Sequence, residues 1–211
     1  MSSLGIAESA LAAVGIIRQS TTLKGFYLAG GTACAIQLGH RISIDLDFFQ
    51  AAQFHADELS QQLVLEGITL EAEEVSPGTV KGQLAGTAVS FFHYPYPLLS
   101  TPIEWEGIRL ASLIDISLMK ITAIASRGAK KDFVDLYYIL QHLGPQNVFA
   151  RFSEKYPIKR LDPYHYLRSL TYFEDAETEH DPRMLVSWSW EDTKDYFRTI
   201  IKEWRLLPER S

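Results

Sequence analysis

Two aspartates in the first quarter of the chain have the spacing of metal ligands. The stretch SIDLDFF over residues 43–49 alternates polar and apolar residues as a β-strand does, which places Ser43, Asp45 and Asp47 on one face. Successive carboxylates on that face are about 7 Å apart along the backbone. Magnesium prefers oxygen ligands and takes one or two carboxylates together with substrate phosphates. The pattern predicts a magnesium site at Asp45 and Asp47, although an exposed polar strand face has the same pattern.

A glycine turn lies shortly before these acids. Gly30, Gly31 and Thr32 follow a short apolar run and precede a helical pattern, so the turn connects a strand to a helix. Backbone N–H groups at such a turn can face an anion without side-chain obstruction. Taken alone, the pair of glycines is also typical of an ordinary turn. Thirteen residues separate Gly31 from Asp45. Together the two motifs predict a site for a nucleoside triphosphate and its metal ion.

A lysine stands in an unusual place later in the chain. Lys120 lies within LIDISLMKITAIA, a helix that is apolar almost all round, where an ammonium group is costly unless it reaches an anion or water. Arg127 falls on the same helical face, and the two could form one cationic wall. Asp132 and Asp135 are i, i+3 neighbours on the next predicted helix. Snorkelling of Lys120 and a helix-dipole role for Asp132 are the alternative interpretations.

The elements that must position these residues follow from periodicity. Strands are concentrated in the first half of the chain and helices in the second, which predicts an α+β fold: a mixed sheet flanked by helices, followed by a helical C-terminal part. We assign residues 1–110 to the α/β core and residues 111–211 to the helical region packed on it. The predicted helices cover 4–18, 32–38, 57–66, 112–126, 130–142 and 191–206, and the predicted strands cover 25–29, 43–49, 68–75, 79–94 and 103–110.

Composition limits the classes of protein. The 211 residues include 20 Lys and Arg against 26 Asp and Glu, so the net charge of −6 does not draw the whole chain to nucleic acid. One cysteine, Cys34, excludes an internal disulfide framework and a thiolate zinc cluster. No run approaches the ~18 apolar residues of a membrane span, and we expect a cytoplasmic protein without membrane contact. Positive charge is concentrated at six residues, which could follow an RNA backbone or form a solvated face: Lys130, Lys131, Arg151, Lys155, Lys159 and Arg160.

The motifs together resemble the polymerase-beta-like nucleotidyltransferase superfamily, which has a small-residue turn, a short helix and an acid–hydrophobic–acid strand. The stretch YLAGGTACAIQLGHRISIDLDFF over 27–49 resembles the AbiEii/AbiGii abortive-infection toxin branch in particular. Lys120 and the following ITAIASRGAKKDFVDLYYIL over 121–140 are similar to the later lysine and K-D-x-x-D-L-Y motifs of that branch. The similarity covers about residues 25–140, and the joint match is specific although neither motif alone is.

This resemblance implies a magnesium-dependent nucleotidyltransferase that moves a nucleoside monophosphate from a nucleoside triphosphate to an acceptor hydroxyl, with RNA or tRNA as the expected acceptor. It also implies a bacterial toxin with an antitoxin protein as its partner. The implied magnesium ligands and catalytic residues are Asp45 and Asp47, joined in catalysis by Lys120 and Asp132. The expected nucleotide contacts are Gly30, Gly31, Thr32, Ser43 and Arg127.

One departure from the superfamily pattern keeps a second function open. Many members carry a third carboxylate on a later central strand, whereas residues 88–93 offer Ser90 and His93 but no acid. Glu104 and Glu106 could substitute, or could be exposed edge residues. The alternative function is a catalytically inactive module that binds a nucleotide or a partner and retains the nucleotidyltransferase fold. A sugar-nucleotide glycosyltransferase also uses D-x-D, but the glycine turn so close before the acids argues against it.

Overall fold

The computed structural model describes residues 5–157 and 163–205. Its helices are α1 (Glu8–Ile17), α2 (Gly30–Leu38), α3 (Ala56–Leu65), α4 (Leu113–Arg127), α5 (Lys130–Leu143), α6 (Pro145–Phe149), α7 (Phe152–Lys155), α8 (Pro163–Ser169), α9 (Glu174–Glu177) and α10 (Trp190–Arg205). Its strands are β1 (Tyr27–Leu28), β2 (Leu46–Gln50), β3 (Glu71–Ser76), β4 (Thr79–Leu84), β5 (Thr87–His93), β6 (Ile103–Trp105) and β7 (Ile108–Leu110). No helix in these ranges is both long enough and apolar enough to cross a membrane.

The strands form one mixed sheet in the order β3-β4-β5-β2-β1-β7-β6. The strand β2 lies near the middle, antiparallel to β1 and parallel to β5. Helices follow the sheet in the chain, and the predicted α+β class with a mixed sheet and a helical C-terminal part is confirmed.

Two predicted strands are hairpins instead. The predicted strand 79–94 is divided into β4 and β5 by a turn at Ala85 and Gly86, whose φ angles are 52° and 72°. The predicted strand 103–110 is divided into β6 and β7 by Glu106 and Gly107, whose φ angles are 50° and 81°. Two consecutive residues with positive φ are what a tight hairpin turn requires. Alanine and glutamate are uncommon in that conformation, so the sequence pattern missed both turns.

Other boundaries differ by a few residues. The first helix begins at Glu8 rather than at residue 4, and the acid-bearing strand begins at Leu46 rather than at residue 43. Ser43 forms an isolated bridge with Ile6 instead. The predicted end of the last helix, at residue 206, lies outside the described residues.

The buried apolar residues form two clusters. The first fills the space between the sheet and helices α1, α2 and α3, with Leu28, Leu46 and Phe91 at its centre. The second lies among α4, α5 and the later helices, around Phe133 and Phe197. Helix α4 contributes to both clusters and therefore joins the sheet to the helical half.

The end of the chain also returns to the segment before β2. The N–H group of Ile42 donates to the carbonyl of Arg183 at 2.8 Å, and the N–H group of Leu185 donates to the carbonyl of His40 at 2.9 Å. Arg41 and Met184 form an isolated antiparallel bridge between these two bonds. Residues 183–185 therefore hold the loop between α2 and β2.

A buried ion pair fixes the start of α4. Ser112 caps this helix by accepting a hydrogen bond from the N–H group of Asp115. The Asp115 carboxylate accepts a hydrogen bond from Lys155 at 2.8 Å, and both side chains are fully buried. Lys155 also donates to the carbonyl of Pro97 at 2.8 Å, and burial lowers the pKa of its ammonium group.

The six concentrated basic residues do not form one exposed face. Lys155 is buried on Asp115, and Lys130 is buried with its ammonium group on the Glu179 carbonyl and the Asp181 carboxylate. Arg151 is paired with Glu154 at 2.8 Å. Lys131 is exposed, while Lys159 and Arg160 lie outside the described residues. Sequence alone could not show that Lys130, Arg151 and Lys155 are each paired with an acid.

Replacing Lys155 tests the buried pair. We expect Lys155→Met to lower the free energy of unfolding by about 3 kcal/mol or more, because Asp115 would stay buried without its counter-ion. Lys202→Met, at an exposed position of α10, is the matched control and should change the value by less than about 0.5 kcal/mol. Urea unfolding followed by circular dichroism gives both values. Equal midpoints for the two variants would show that the pair is unimportant for stability.

Candidate nucleotide and metal site

The two predicted metal ligands lie on one side of the acid-bearing segment. Leu46 and Phe48 are buried, whereas Asp45 and Asp47 are half-buried on the other side. Burial raises the pKa of Asp47, and the neighbouring charge of Asp45 raises it further. The two carboxylates are therefore close enough to repel each other.

The glycine turn packs directly against these acids. Helix α2 begins at Gly30, which has a φ of 64°, and a Cβ atom at this position would lie 3.0 Å from Asp47 Oδ2. A Cβ atom at Gly31 would lie 2.2 Å from Arg41 Nη2 and 3.2 Å from Ser43 Oγ. Neither position can hold a larger residue without movement of its neighbours, and Gly30 also needs the left-handed conformation that glycine adopts most readily.

Backbone pairing holds the turn in this place. Tyr27 pairs with Phe49 and Leu28 with Phe48 across the antiparallel strands β1 and β2. The N–H group of Ala29 donates to the carbonyl of Asp47 at 3.0 Å, and the Thr32 hydroxyl donates to the carbonyl of Asp45. The structure thus brings together Gly30, Gly31, Thr32, Ser43, Asp45 and Asp47, whose chemical roles stay predictions.

The donor set suits a hard divalent cation. Asp45 and Asp47 offer carboxylate oxygens that remain partly accessible, and their mutual repulsion is what a bound cation relieves. A second group, Cys34, His40 and Asp135, is also close enough to share an ion. Its carboxylate already contacts Lys120, Arg41 and His40, so an added dication would meet two fixed positive charges. The predicted magnesium ligands therefore remain Asp45 and Asp47, without Cys34, His40 or Asp135.

The two acids of α5 form a buried charge network. Asp135, with no exposed surface, lies 2.6 Å from Arg41 Nε, 2.8 Å from His40 Nε2 and 2.5 Å from Lys120 Nζ. Asp132 contacts Lys120 Nζ at 2.7 Å and Arg127 Nε at 2.7 Å. Lys120 therefore bridges the two carboxylates.

This network sets the protonation of its members. Burial alone raises the pKa of Asp135, but Lys120 and Arg41 outweigh it and hold this pKa well below its ordinary value. Burial likewise raises the pKa of Asp132, and Lys120 and Arg127 bring it below the ordinary value. Burial lowers the pKa of Lys120, and the two aspartates raise it above the ordinary value. All three groups are ionised at neutral pH.

The predicted catalytic and nucleotide-binding cations lie in different environments. Lys120 is 4% exposed and its ammonium group is held by Asp132 and Asp135, so the interpretation as a snorkelling lysine is wrong. The Arg127 side chain is 57% exposed while it contacts Asp132. Lys131 is exposed and has no ion pair among the described residues. The pKa of Asp47 stays raised by burial and by Asp45, and the positive charges of Lys120, Lys131 and Arg127 partly offset this effect.

Sequence reasoning missed two features of this site. It grouped Lys131 with a possible basic face, although its place directly before Asp132 put it beside a predicted site residue. It also gave no partner for His40 and Arg41, and the structure places both on Asp135, more than 90 residues away in sequence.

The strand next to the aspartate pair carries a serine and no acid. Strand β5 runs parallel to β2, and Ser90 is the register partner of Asp47. Glu104 and Glu106 are exposed on or beside β6, at the edge of the sheet, which agrees with the edge-residue interpretation. No acid of the described β5 strand therefore joins the pair.

Comparison with known proteins identifies the family. A sequence model described as nucleotidyl transferase AbiEii toxin, type IV toxin-antitoxin system, matches residues 14–196. The chain belongs to the AbiEii family. The chain is also similar to the uncharacterized protein aq_aa25 of Aquifex aeolicus (strain VF5). The two are 36% identical over 182 residues, which cover 85% of this chain and 87% of the relative.

Solved structures show the same fold as this AbiEii-family chain. A Helicobacter pylori protein assigned as a nucleotidyltransferase is 18% identical, with a TM-score of 0.52 over 97% of this chain and 100% of that chain. JHP933 from Helicobacter pylori is 17% identical, with a TM-score of 0.51 over 94% of this chain and 92% of that chain. The predicted resemblance to the family and the predicted fold class are thereby confirmed.

Removing the central carboxylate of the network tests its role in stability. We expect Asp135→Asn to lower the free energy of unfolding by about 3–5 kcal/mol at pH 7, because Lys120 and Arg41 would keep their buried charges without this partner. The pKa of Asp135 is lower in the folded state, so its stabilising effect is complete above the unfolded pKa of about 3.9 and declines as the pH falls below that value. Urea unfolding at pH 7 and at pH 3 measures both effects.

The matched control is Asp195→Asn, which changes an exposed carboxylate in an i, i+3 pair on α10. Its effect should stay below about 0.5 kcal/mol. A difference between wild type and Asp135→Asn that does not shrink at pH 3 would contradict the assigned ionisation.

Proposed function

We propose that this AbiEii-family chain is an active, magnesium-dependent nucleotidyltransferase. In the reaction, an acceptor hydroxyl oxygen bonds to the α-phosphorus of a nucleoside triphosphate, the bond between the α- and β-phosphates breaks, and pyrophosphate leaves while the hydroxyl loses its proton. The observation that carries the proposal is the contact between the Gly30 turn and the Asp47 carboxylate, beside Asp45. This arrangement places a glycine turn at the start of a helix next to two carboxylates that can bind a metal ion.

Each residue has a proposed task. Asp45 and Asp47 hold the magnesium ion, which when bound neutralises phosphate charge and stabilises the charge that develops during transfer. The backbone of Gly30, Gly31 and Thr32 holds the phosphates at the start of α2, where the helix dipole is positive. Ser43 borders that turn, with its hydroxyl 3.2 Å from the position of a Gly31 Cβ atom.

The cations divide into two tasks. Arg127 and Lys131 are exposed and their positive charges favour the ionised form of Asp47, and we assign them contacts with the leaving phosphates. Lys120 and Asp132 form an ion pair with each other, and Asp132 also contacts Arg127. We propose that these two residues position Arg127 relative to the aspartate pair.

The proposed biological role follows from the family. The AbiEii model describes a toxin of a type IV toxin-antitoxin system, and we propose an antitoxin protein as the partner of this chain. The proposed acceptor is a hydroxyl group of RNA, with tRNA as the first candidate.

A second candidate function is favoured by one observation. Ser90, not an acid, is the register partner of Asp47 on the adjacent parallel strand, so the described β5 strand supplies no third carboxylate to activate the attacking hydroxyl. The absence of this carboxylate is compatible with an inactive module that binds a nucleotide without transferring it. Pyrophosphate release from a wild-type reaction separates the two functions, because binding without release supports the silent module.

Neutralising either aspartate tests the metal site. We expect Asp45→Asn and Asp47→Asn each to reduce transfer of a radiolabelled nucleotide to RNA by at least about 1000-fold, since the loss of one ligand removes several kcal/mol of charge stabilisation. Chelation of magnesium by EDTA should have the same effect on the wild type, and added Mg²⁺ should restore transfer.

Glu104→Gln removes the same charge from an exposed acid on β6 and is the matched control. It should transfer nucleotide at the wild-type rate. Full activity in both aspartate variants would exclude Asp45 and Asp47 as the metal ligands.

The glycine turn can be tested against an equally strained glycine. Gly30 and Gly39 have φ angles of 64° and 63°, and a Cβ atom at Gly39 would have no neighbour within 4 Å. Gly30→Ala and Gly39→Ala should both lose about 1–2 kcal/mol of stability through backbone strain. Only Gly30→Ala should also slow transfer, by about 100-fold, because its methyl group displaces Asp47.

Thermal unfolding and the labelling assay measure the two effects on the same preparations. If Gly39→Ala slowed transfer as much as Gly30→Ala does, general strain rather than the contact with Asp47 would be the cause.

A further inference from the structure

A cavity of about 360 Å³ lies between the end of α4 and the segment from α8 to α9, and it shares Arg127 with the predicted site residues. Its polar lining includes Ser126, Arg127, Arg168, Ser169, Tyr172 and Asp175. Arg127 connects it to the site, because this residue also contacts Asp132 and its charge acts on Asp47. The volume lies in the lower part of the range of roughly 300–1,000 Å³ that is typical of small-molecule sites.

The charges of the lining do not favour a bare phosphate. The lining contains both a guanidinium, at Arg168, and a carboxylate, at Asp175. A group that accepts hydrogen bonds at one edge and donates them at another satisfies both residues, whereas an anion would satisfy only the arginine.

Two further features favour a flat ring. Tyr172 lines the cavity and is 52% exposed, and its hydroxyl already donates to Glu174 at 2.7 Å, so the ring is the part of this side chain that a ligand can contact. Arg168 is exposed and forms no ion pair or side-chain hydrogen bond within the described part of the chain. An exposed aromatic face and an unpaired guanidinium next to it are suited to stacking and edge recognition of a heterocycle.

We infer that this cavity binds a nucleobase with its sugar, stacked on Tyr172 and recognised at its edge by Arg168 and Asp175. The inference rests on the proposed function, since it adds a base-binding subsite to the proposed nucleotide site. Two sources supply this chemistry: the base of the donor nucleoside triphosphate and the terminal base of an RNA acceptor.

Calorimetric titration of the full chain tests the inference. The probes are ATP, CTP, GTP and UTP, each with magnesium, a single-stranded RNA oligonucleotide without a triphosphate, and magnesium tripolyphosphate, which has no base. The variants are Arg168→Ala and Tyr172→Ala. Tyr172→Phe keeps the ring and Arg18→Ala removes a half-exposed arginine next to Glu106, so these two are the matched controls.

We expect Arg168→Ala and Tyr172→Ala to weaken binding of a base-containing probe by at least about fivefold, the lower limit for one stacked base. Affinity for tripolyphosphate should not change, and both controls should bind as the wild type does. Loss confined to the nucleoside triphosphates assigns the cavity to the donor base, and loss confined to the RNA assigns it to the acceptor base. Loss with both probes means that the cavity accepts either base.

Three results would overturn the inference. These are unchanged affinity for every base-containing probe, an equal loss for tripolyphosphate, and failure of the wild type to bind any nucleotide or RNA. The labelling assay keeps this outcome separate from the proposed function. If the wild type transfers nucleotide and the variants keep their affinity for bases, only the base-binding role of the cavity is excluded. If the wild type binds bases but transfers no nucleotide, only the proposed activity is excluded.

Discussion

The candidate site depends on the buried ion pairs of the Asp135 carboxylate. This carboxylate has no exposed surface and contacts side chains from two separate parts of the fold: Lys120 on α4, and His40 and Arg41 in the loop before β2. A charge in such a place is tolerated only when opposite charges and hydrogen bonds surround it. The helical half of the chain is thereby connected to the segment that carries Asp45 and Asp47.

A steric constraint completes the arrangement. The turn at Gly30 and Gly31 has space for hydrogen atoms only, because Asp47 and Arg41 fill the volume that side chains would occupy. Arg41 thus contacts Gly31 on one side and Asp135 on the other. The buried ion network and the glycine turn are therefore one packed unit.

The sequence was informative where the pattern is local. Alternation around Asp45 and Asp47, the double glycine and the apolar helix around Lys120 predicted the fold class and the family, and the structure brings the first two motifs together. The hairpin turns at Ala85 and Glu106 were missed because neither residue type is typical of positive φ. The partners of Lys155, Arg41 and Lys120 could not be predicted either, because they depend on which charges meet in the folded chain. Asp135 and Arg41, for example, are 94 positions apart.

The segment over residues 183–185 has a consequence for the order of events during synthesis. Its two backbone hydrogen bonds hold the loop that contains Arg41, and this loop leads directly into the acid-bearing strand. Domains generally fold as units while the polypeptide leaves the ribosome, and contacts distant in sequence form late. The loop therefore gains this support only after residue 185 has emerged, long after translation of both aspartates. A nascent polypeptide that stops before this point lacks the two hydrogen bonds that support the loop before Asp45 and Asp47.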